Sequence, residues 1–240
     1  MAYGNTFRRR EVKYILDANK YSEVRNAISA HMTEEIYGKY TICNIYCDSP
    51  DSELIRESLE KPVYKEKLRL RTYGTASDGG DSFLEIKKKY NGVVYKRRVQ
   101  LPYLEGLRYL RDGVLPEQRS QVIDEADYMI KRHSLAPKLI ICYDRRAFFG
   151  NDNREFRLTF DSGIRSRTED LDLRSGDYGE TLAQQPFRLM ELKVAGAVPM
   201  WMTEILSSLE LYPASFSKYG SIYAAGIKNN GSFDVCSQVS

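Results

Sequence analysis

Histidine is nearly missing from this chain. Its 240 residues include two, His31 and His133, and both lie in stretches with a helical period. That scarcity excludes a histidine-rich metal centre and a Ser–His–Asp triad. Any metal would have to sit on carboxylates, which suits hard ions such as magnesium or manganese. Cysteine is sparse as well. Cys43, Cys47, Cys142 and Cys236 form no CxxC pair, and Cys43 and Cys47 share one face of the strand-like TICNIYC. Buried free thiols are therefore expected rather than a zinc site or a disulfide. No apolar run approaches the length of a membrane span or a secretory leader, so a soluble, cytoplasmic chain is expected. The formal net charge is only +3, which excludes bulk attraction to nucleic acid. Basic residues can matter here only where they are concentrated. Repeats and low-complexity linkers are absent, and NNGSFDVCSQVS (229–240) reads as a disordered tail behind a domain of residues 1–228.

What the chain does have is alternation. Strand patterns fall at 8–16, 40–47, 63–73, 82–90, 93–101, 138–149, 154–161 and 187–195. Helical patterns fall at 19–32, 51–60, 103–112, 118–134, 199–210 and 216–227. Ser49 before Pro50 and Pro199 are helix-start signals, and a cap at Ser215 puts Lys218 in a first turn. Hairpin signals, rather than crossover helices, join several strands, which predicts an α+β protein built on a large antiparallel sheet. The Asn91–Gly92 turn fixes one register: Tyr90 opposite Val93, Lys87 opposite Lys96, Glu85 opposite Arg98. The polar connection SRTEDLDLRSGDYGETLAQQP (166–186) fits a lid and a surface loop equally well.

The strand KEKLRLRTYG sets apolar Leu68 and Leu70 against Lys67, Arg69 and Arg71. The same parity recurs along the chain. Arg9, Glu11 and Lys13 alternate with Val12 and Tyr14, and Glu85, Lys87 and Lys89 with Leu84 and Ile86. Lys96 and Arg98 alternate with Arg97 and Val99, Arg157, Thr159 and Asp161 with Phe156, Leu158 and Phe160, and Glu191 and Lys193 with Met190, Leu192 and Val194. The strand PKLIICYDRRAFFG adds Arg145 or Arg146, and its mixed pattern leaves the choice open. Apolar faces must share a core, so the charged faces lie together. An open sheet would give that face to water; a sheet curled into a barrel would turn it inward. Arg and Lys dominate it, and Arg favours sites that hold phosphate or carboxylate through paired hydrogen bonds. Tyr14, Tyr95 and Phe156 alternate onto the opposite face and read as core, so the stacking aromatics expected of a nucleic-acid binder are not expected here.

Seven segments in order, FRRREVKY, KLRLRTYG, FLEIKKKYNGVVYKRR, YDRRAFFG, FRLTFD, LMELKV and FSKYGSIYA, resemble the catalytic domain of the vacuolar transporter chaperone (VTC) family. These are polyphosphate polymerases within the triphosphate tunnel metalloenzymes, or CYTH superfamily, and the resemblance spans about residues 7 to 225. It implies an antiparallel eight-stranded tunnel with helices packed outside, holding a triphosphate and a divalent ion. On that basis Lys13, Arg69, Arg71, Lys87, Arg145 and Lys218 correspond to the catalytic wall, with Arg9, Lys89, Lys96, Arg98, Arg157 and Lys193 contacting substrate. Glu191 corresponds to the metal-ligand glutamate, helped by Glu11 or Glu85, with Mn2+ or Mg2+ as the ion. ATP and inorganic polyphosphate are the implied partners, and any membrane partner would be a separate chain.

One departure from the superfamily carries information. Where it opens Glu-x-Glu-x-Lys, this chain has Arg9-x-Glu11-x-Lys13. A cation in place of the first carboxylate weakens metal-assisted activation of water and suits a longer anion. This favours polymerase over triphosphatase, with a non-catalytic polyanion-binding module as the third reading.

Overall fold

A computed structural model of the chain describes residues 10–91, 93–182 and 186–227. Arg9, Cys236 and the 229–240 tail lie outside the described residues. The elements run β1 (Arg10–Leu16), α1 (Ala18–Ile28), β2 (Met32–Asp48), α2 (Glu53–Leu59), β3 (Tyr64–Tyr73), β4 (Asp81–Tyr90), β5 (Val93–Pro102), α3 (Tyr103–Asp112) and α4 (Gln121–His133). They continue as β6 (Ala136–Gly150), β7 (Arg157–Arg167), β8 (Glu180–Thr181), β9 (Arg188–Val194), α5 (Met200–Ser208) and α6 (Lys218–Ile227). The strands form one antiparallel sheet in the order β1-β9-β7-β6-β2-β3-β4-β5, with the two-residue β8 added to β7. Among the described residues β1 and β5 end this order without pairing to each other, so no backbone ladder closes the sheet there. Side chains meet across the gap instead: the Glu11 carboxylate on β1 lies 3.7 Å from Lys87 on β4 and 3.9 Å from Lys96 on β5.

The two-residue period decides what each face touches. Leu68, Leu70, Leu84 and Ile86 turn outward and are buried under α3 and α4. Tyr14, Leu158, Phe160, Met190 and Leu192 turn outward on the other half, under α1 and α5. The inward face is divided. On the β2, β6 and β9 side Ile42, Tyr46, Ile141 and Leu189 pack with Phe216 and Tyr219 from the α6 region, while the β3, β4 and β5 side is charged. The register around Asn91 agrees with the sequence: Tyr90 faces Val93, Lys87 faces Lys96 and Glu85 faces Arg98. Cys43, Cys47 and Cys142 are buried free thiols.

Several boundaries differ from the sequence pattern. The helix expected over 19–32 ends at Ile28, and His31 lies in the following turn with its ring stacked on Trp201, centroids 4.4 Å apart. β2 begins at Met32, eight residues before the expected start. The register with β6 shifts between Glu34 and Lys39, leaving Ile36 and Tyr37 exposed and Gly38 at φ +57, so the alternation is broken there. β7 extends to Arg167, whose guanidinium donates to the carbonyls of Asp170, Asp172, Gly176 and Tyr178. One arginine thus gathers much of the polar connection into a folded loop. Tyr95, expected in the core, is exposed.

The start of α2 depends on a buried carboxylate. Ser49 accepts from the Glu53 amide at 2.8 Å, but Asp48 does more, taking the amides of Ser49, Leu54 and Ile55 and the hydroxyl of Tyr219. Asp48 is 1% exposed and therefore ties β2, α2 and α6 together in one place. Asp48→Ala leaves these donors unpaired, and urea denaturation should show a loss of about 2–4 kcal/mol. Asp51→Ala, an exposed neighbour paired with Arg56, should leave the midpoint in place.

Candidate active site

The charged part of the inward face encloses a cavity of about 930 Å³. Twelve lysines and arginines line it against three glutamates: Lys13, Lys61, Lys65, Lys67, Arg69, Arg71, Lys87, Lys89, Lys96, Arg145, Lys193 and Lys218, with Glu11, Glu85 and Glu191. Bare, such a set repels itself, and each deep cation accordingly has a fixed partner. On β3, Arg69 donates through Nε to Glu85 at 2.8 Å and through Nη1 to the Tyr46 hydroxyl at 3.0 Å. Arg71 donates to the Asn44 side-chain oxygen at 3.0 Å and lies 3.5 Å from Glu85. Burial would raise the Glu85 carboxyl, but Arg69 and Arg71 outweigh it and hold it below its ordinary value.

A second anchor sits under β6 and α6. Asp161, fully buried on β7, accepts Arg145 Nε at 2.6 Å and Nη2 at 2.8 Å, and Lys218 Nζ at 2.6 Å. Burial opposes its ionisation, but Lys218 and Arg145 bring its pKa down to about 2. The Tyr143 ring packs under both cations, with Lys218 Nζ 4.2 Å and the Arg145 guanidinium carbon 5.3 Å from its centroid. Lys218 opens α6, but the cap is Ser217, whose hydroxyl accepts the Gly220 amide and the Lys67 amine, each at 3.2 Å, and not Ser215.

The carboxylates of β1 and β9 form the third group. Glu191 pairs with Lys193 at 2.9 Å and Lys13 at 3.9 Å, and the register sets Glu11 opposite Lys193, beside Glu191 on the same face. Burial would raise its carboxyl; Lys193, Lys13 and Arg145 together hold it well below the usual range. Among the described residues no cluster of three metal-ligating side chains exists. Two adjoining hard oxygen donors nevertheless fit a magnesium-like ion, which commonly takes one or two carboxylates and completes its shell with phosphate oxygens and water. Glu85 does not fit, because its oxygens are taken by Arg69 and Arg71.

The residues singled out from sequence mostly converge. Lys13, Arg69, Arg71, Lys87, Lys89, Lys96, Arg145, Lys193 and Lys218 line the cavity, as do Glu11, Glu85 and Glu191. Arg146 points away, to Glu34 at 2.6 Å, which settles the choice that alternation left open. Arg98 and Arg157 are not among the lining residues. The first lies over the Phe83 ring, 5.0 Å from its centroid, and the second pairs with Glu35. Lys61, Lys65 and Lys67 were not singled out as site residues, although Lys65 and Lys67 share the parity of Arg69. Asp161, Asn44, Tyr46 and Tyr143 were also missed. Their contribution is to hold cations across strands, which no local pattern reports.

The VTC domain family model matches residues 8–226. The chain belongs to the VTC domain family. Among solved structures, it is similar to an adenylyl cyclase candidate from Hippeastrum described as having a dominant triphosphatase activity. That match has a TM-score of 0.56 at 14% identity, covering 90% of this chain and 95% of the other. A candidate adenylate cyclase from Bacillus halodurans matches with a TM-score of 0.55 at 13% identity, over 88% of this chain and 93% of the other. At such identities the likeness shows a shared tunnel fold. The search of curated proteins gave no match.

Burial pushes the Lys67 ammonium of this VTC domain down to about 8, with Lys87, Lys65 and Lys13 adding to the shift and Tyr46 opposing it. Burial would raise the Tyr46 phenol, yet Arg69 and Lys67 bring it to about 8. Burial and Lys87 bring Lys96 to about 8 as well, so above that pH the cavity loses two positive charges and gains a negative one. Calorimetric titration with inorganic tripolyphosphate should therefore show affinity falling as pH rises through about 8, and the Lys67→Arg/Tyr46→Phe double variant should lessen that fall, with Lys96 supplying the rest. For the Lys67 contribution to stability the sign is opposite. Between about 8 and the ordinary lysine value of 10.5 the unfolded chain holds a proton that the fold has lost, so this contribution rises with pH.

Proposed function

We propose that this VTC domain is a polyphosphate polymerase, transferring the γ-phosphoryl group of ATP to the end of an inorganic polyphosphate chain in the cytoplasm. The observation that carries the reading is the pairing of the cavity's carboxylates. Glu11 faces Lys87 and Lys96, Glu85 faces Arg69 and Arg71, and Glu191 faces Lys13 and Lys193. None is left as an unpaired base, and neither histidine lines the cavity: His31 stacks on Trp201 and His133 sits between Glu53 and Glu66. Hydrolysis benefits from a base that activates water. A terminal phosphate oxygen is already ionised at neutral pH and does not.

In the proposed step that oxygen attacks the γ-phosphorus, the bond from the γ-phosphorus to the β,γ-bridging oxygen breaks, ADP leaves, and the chain gains one unit. Positioning and charge neutralisation then do most of the catalysis. Arg69, Arg71 and Arg145, each locked by a carboxylate or amide, present fixed forks, and their order is established before substrate arrives. Lys13, Lys87, Lys96 and Lys218 add charge around them. Glu191 with Glu11 would hold Mn2+ or Mg2+, which would draw negative charge from the phosphate oxygens. We assign Glu85 to orienting Arg69 and Arg71. The volume, about 930 Å³, is near the top of the ordinary range of about 300–1,000 Å³ for ligand pockets and accommodates donor and acceptor together.

Glu11 and Glu191, side by side on β1 and β9, and the activity named for the Hippeastrum relative, favour a triphosphatase as the second reading. Product size separates the two. Purified protein incubated with ATP and manganese should give long phosphate chains on a sizing gel, whereas orthophosphate alone would establish hydrolysis. Arg69→Ala and Glu191→Ala should each lower turnover by at least about a hundredfold with the thermal transition retained, as expected for removing a fixed charge from the reacting group.

A further inference from the structure

The inward faces of β3 and β4 do not stay charged to their ends. On β3 the series Lys65, Lys67, Arg69, Arg71 is followed at the next inward position by Tyr73. On β4, Glu85 is preceded at the equivalent step by Phe83, and the register sets Phe83 directly opposite Arg71. Tyr40, inward on β2, completes the group. Tyr73 and Phe83 meet edge to face with centroids 5.8 Å apart, and Tyr40 and Tyr73 are tilted at 6.1 Å. The Arg98 guanidinium lies over the Phe83 ring at 5.0 Å. This layer is not buried core. Tyr73 is 51% exposed, and neither it nor Phe83 belongs to an apolar cluster among the described residues; Tyr40, half-buried, packs against the cluster around Ile42 and is its link to the core.

We propose that Tyr73, Phe83 and Arg98 form a platform for the base of a nucleoside triphosphate whose phosphates lie in the cationic cavity. The proposal rests on reading that cavity as a triphosphate site, and it adds what distinguishes a nucleotide from a bare polyanion. Spacing supports it. Successive inward positions on a strand are about 6.5–7 Å apart, so Tyr73 lies one step beyond Arg71, a distance that a single ribose spans. The chemistry suits a base as well. Aromatic rings and a guanidinium plane offer π-faces to any base, and no fixed donor–acceptor pair in the group reads a base edge. Stacking of this kind supports affinity without strong discrimination among nucleotides. It also gives Arg98 a place: it shares the parity of Lys96 but serves the base instead of the phosphates.

Calorimetry of the full chain with ATP and with inorganic tripolyphosphate tests the idea. Tyr73→Ala should weaken ATP about tenfold and leave tripolyphosphate within about twofold, since the base supplies the difference. Phe83→Leu, which keeps apolar volume, should show the same selective loss if the fold does not tolerate alanine at Tyr73. A fluorescent etheno-adenine triphosphate should be quenched on binding the unaltered protein and less so by Tyr73→Ala. Equal effects on both ligands, or none on either, would overturn the platform while leaving the anion site standing. Failure of tripolyphosphate to bind the unaltered protein would overturn the triphosphate site itself, and the platform with it.

Discussion

Mutual repulsion among inward-facing cations is the constraint around which this domain is built. The register sets Lys65 against Lys89, Lys67 against Lys87, and Lys87 against Lys96. Two unit charges about 6 Å apart repel by about 3 kcal/mol at an effective dielectric near 20, so several such contacts are comparable with the net stability of a domain. What offsets them lies elsewhere. Two apolar layers outside the sheet, under α3 and α4 and under α1 and α5, supply the burial that holds the strands in register. Inside, Glu85, Glu191 and Asp161 each neutralise two cations at the depth where water is least available. The wall is left with an excess of positive charge that only an incoming anion relieves.

The open seam between β1 and β5 follows from the same balance. A backbone ladder there would fix the sheet edge regardless of what the interior contains. Instead Glu11 reaches both Lys87 and Lys96 from the far side of the gap. Closure is thus made partly of the same ionic groups that face the ligand.

Period-two alternation made much of this legible in the sequence, because it reports which face a side chain takes with almost no ambiguity once a register is fixed. Lys87, Lys96 and Glu85 were placed by the turn at Asn91 alone. The same rule says nothing about depth along the strand. Arg98 and Arg157 have the parity of the wall, yet one lies over Phe83 and the other pairs with Glu35. Nor does parity foresee partners distant in sequence. Asp161 gains its importance from Arg145 and from Lys218, 57 residues further on, and only the packing of α6 brings them together. Where the period itself breaks, as at the register shift between Glu34 and Lys39, the sequence reading misplaced the start of β2 by eight residues. Tyr73 and Phe83 share the parity of the charged face, but alternation alone does not separate an aromatic that faces a cavity from one that faces a core.

The two ends of the inward face differ in chemistry, and the proposed reaction needs such a difference. At the start of β3 and the end of β4, Lys61, Lys65 and Lys89 continue the cationic lining beside Ser58 and Leu59 of α2 and Gly220, Ser221 and Ala224 of α6. At the other end of the same strands the charge gives way to Tyr73, Phe83 and Tyr40. A polyphosphate chain carries charge on every unit and has no use for an aromatic surface; a nucleotide carries charge at one end and an aromatic base at the other. On the proposed reading the nucleotide therefore lies with its base toward the aromatic end and its γ-phosphate toward the middle of the cavity. The growing chain then meets it from the lysine-lined end. Donor and acceptor approach from opposite sides of the transferred phosphoryl group, which is the in-line arrangement that phosphoryl transfer requires.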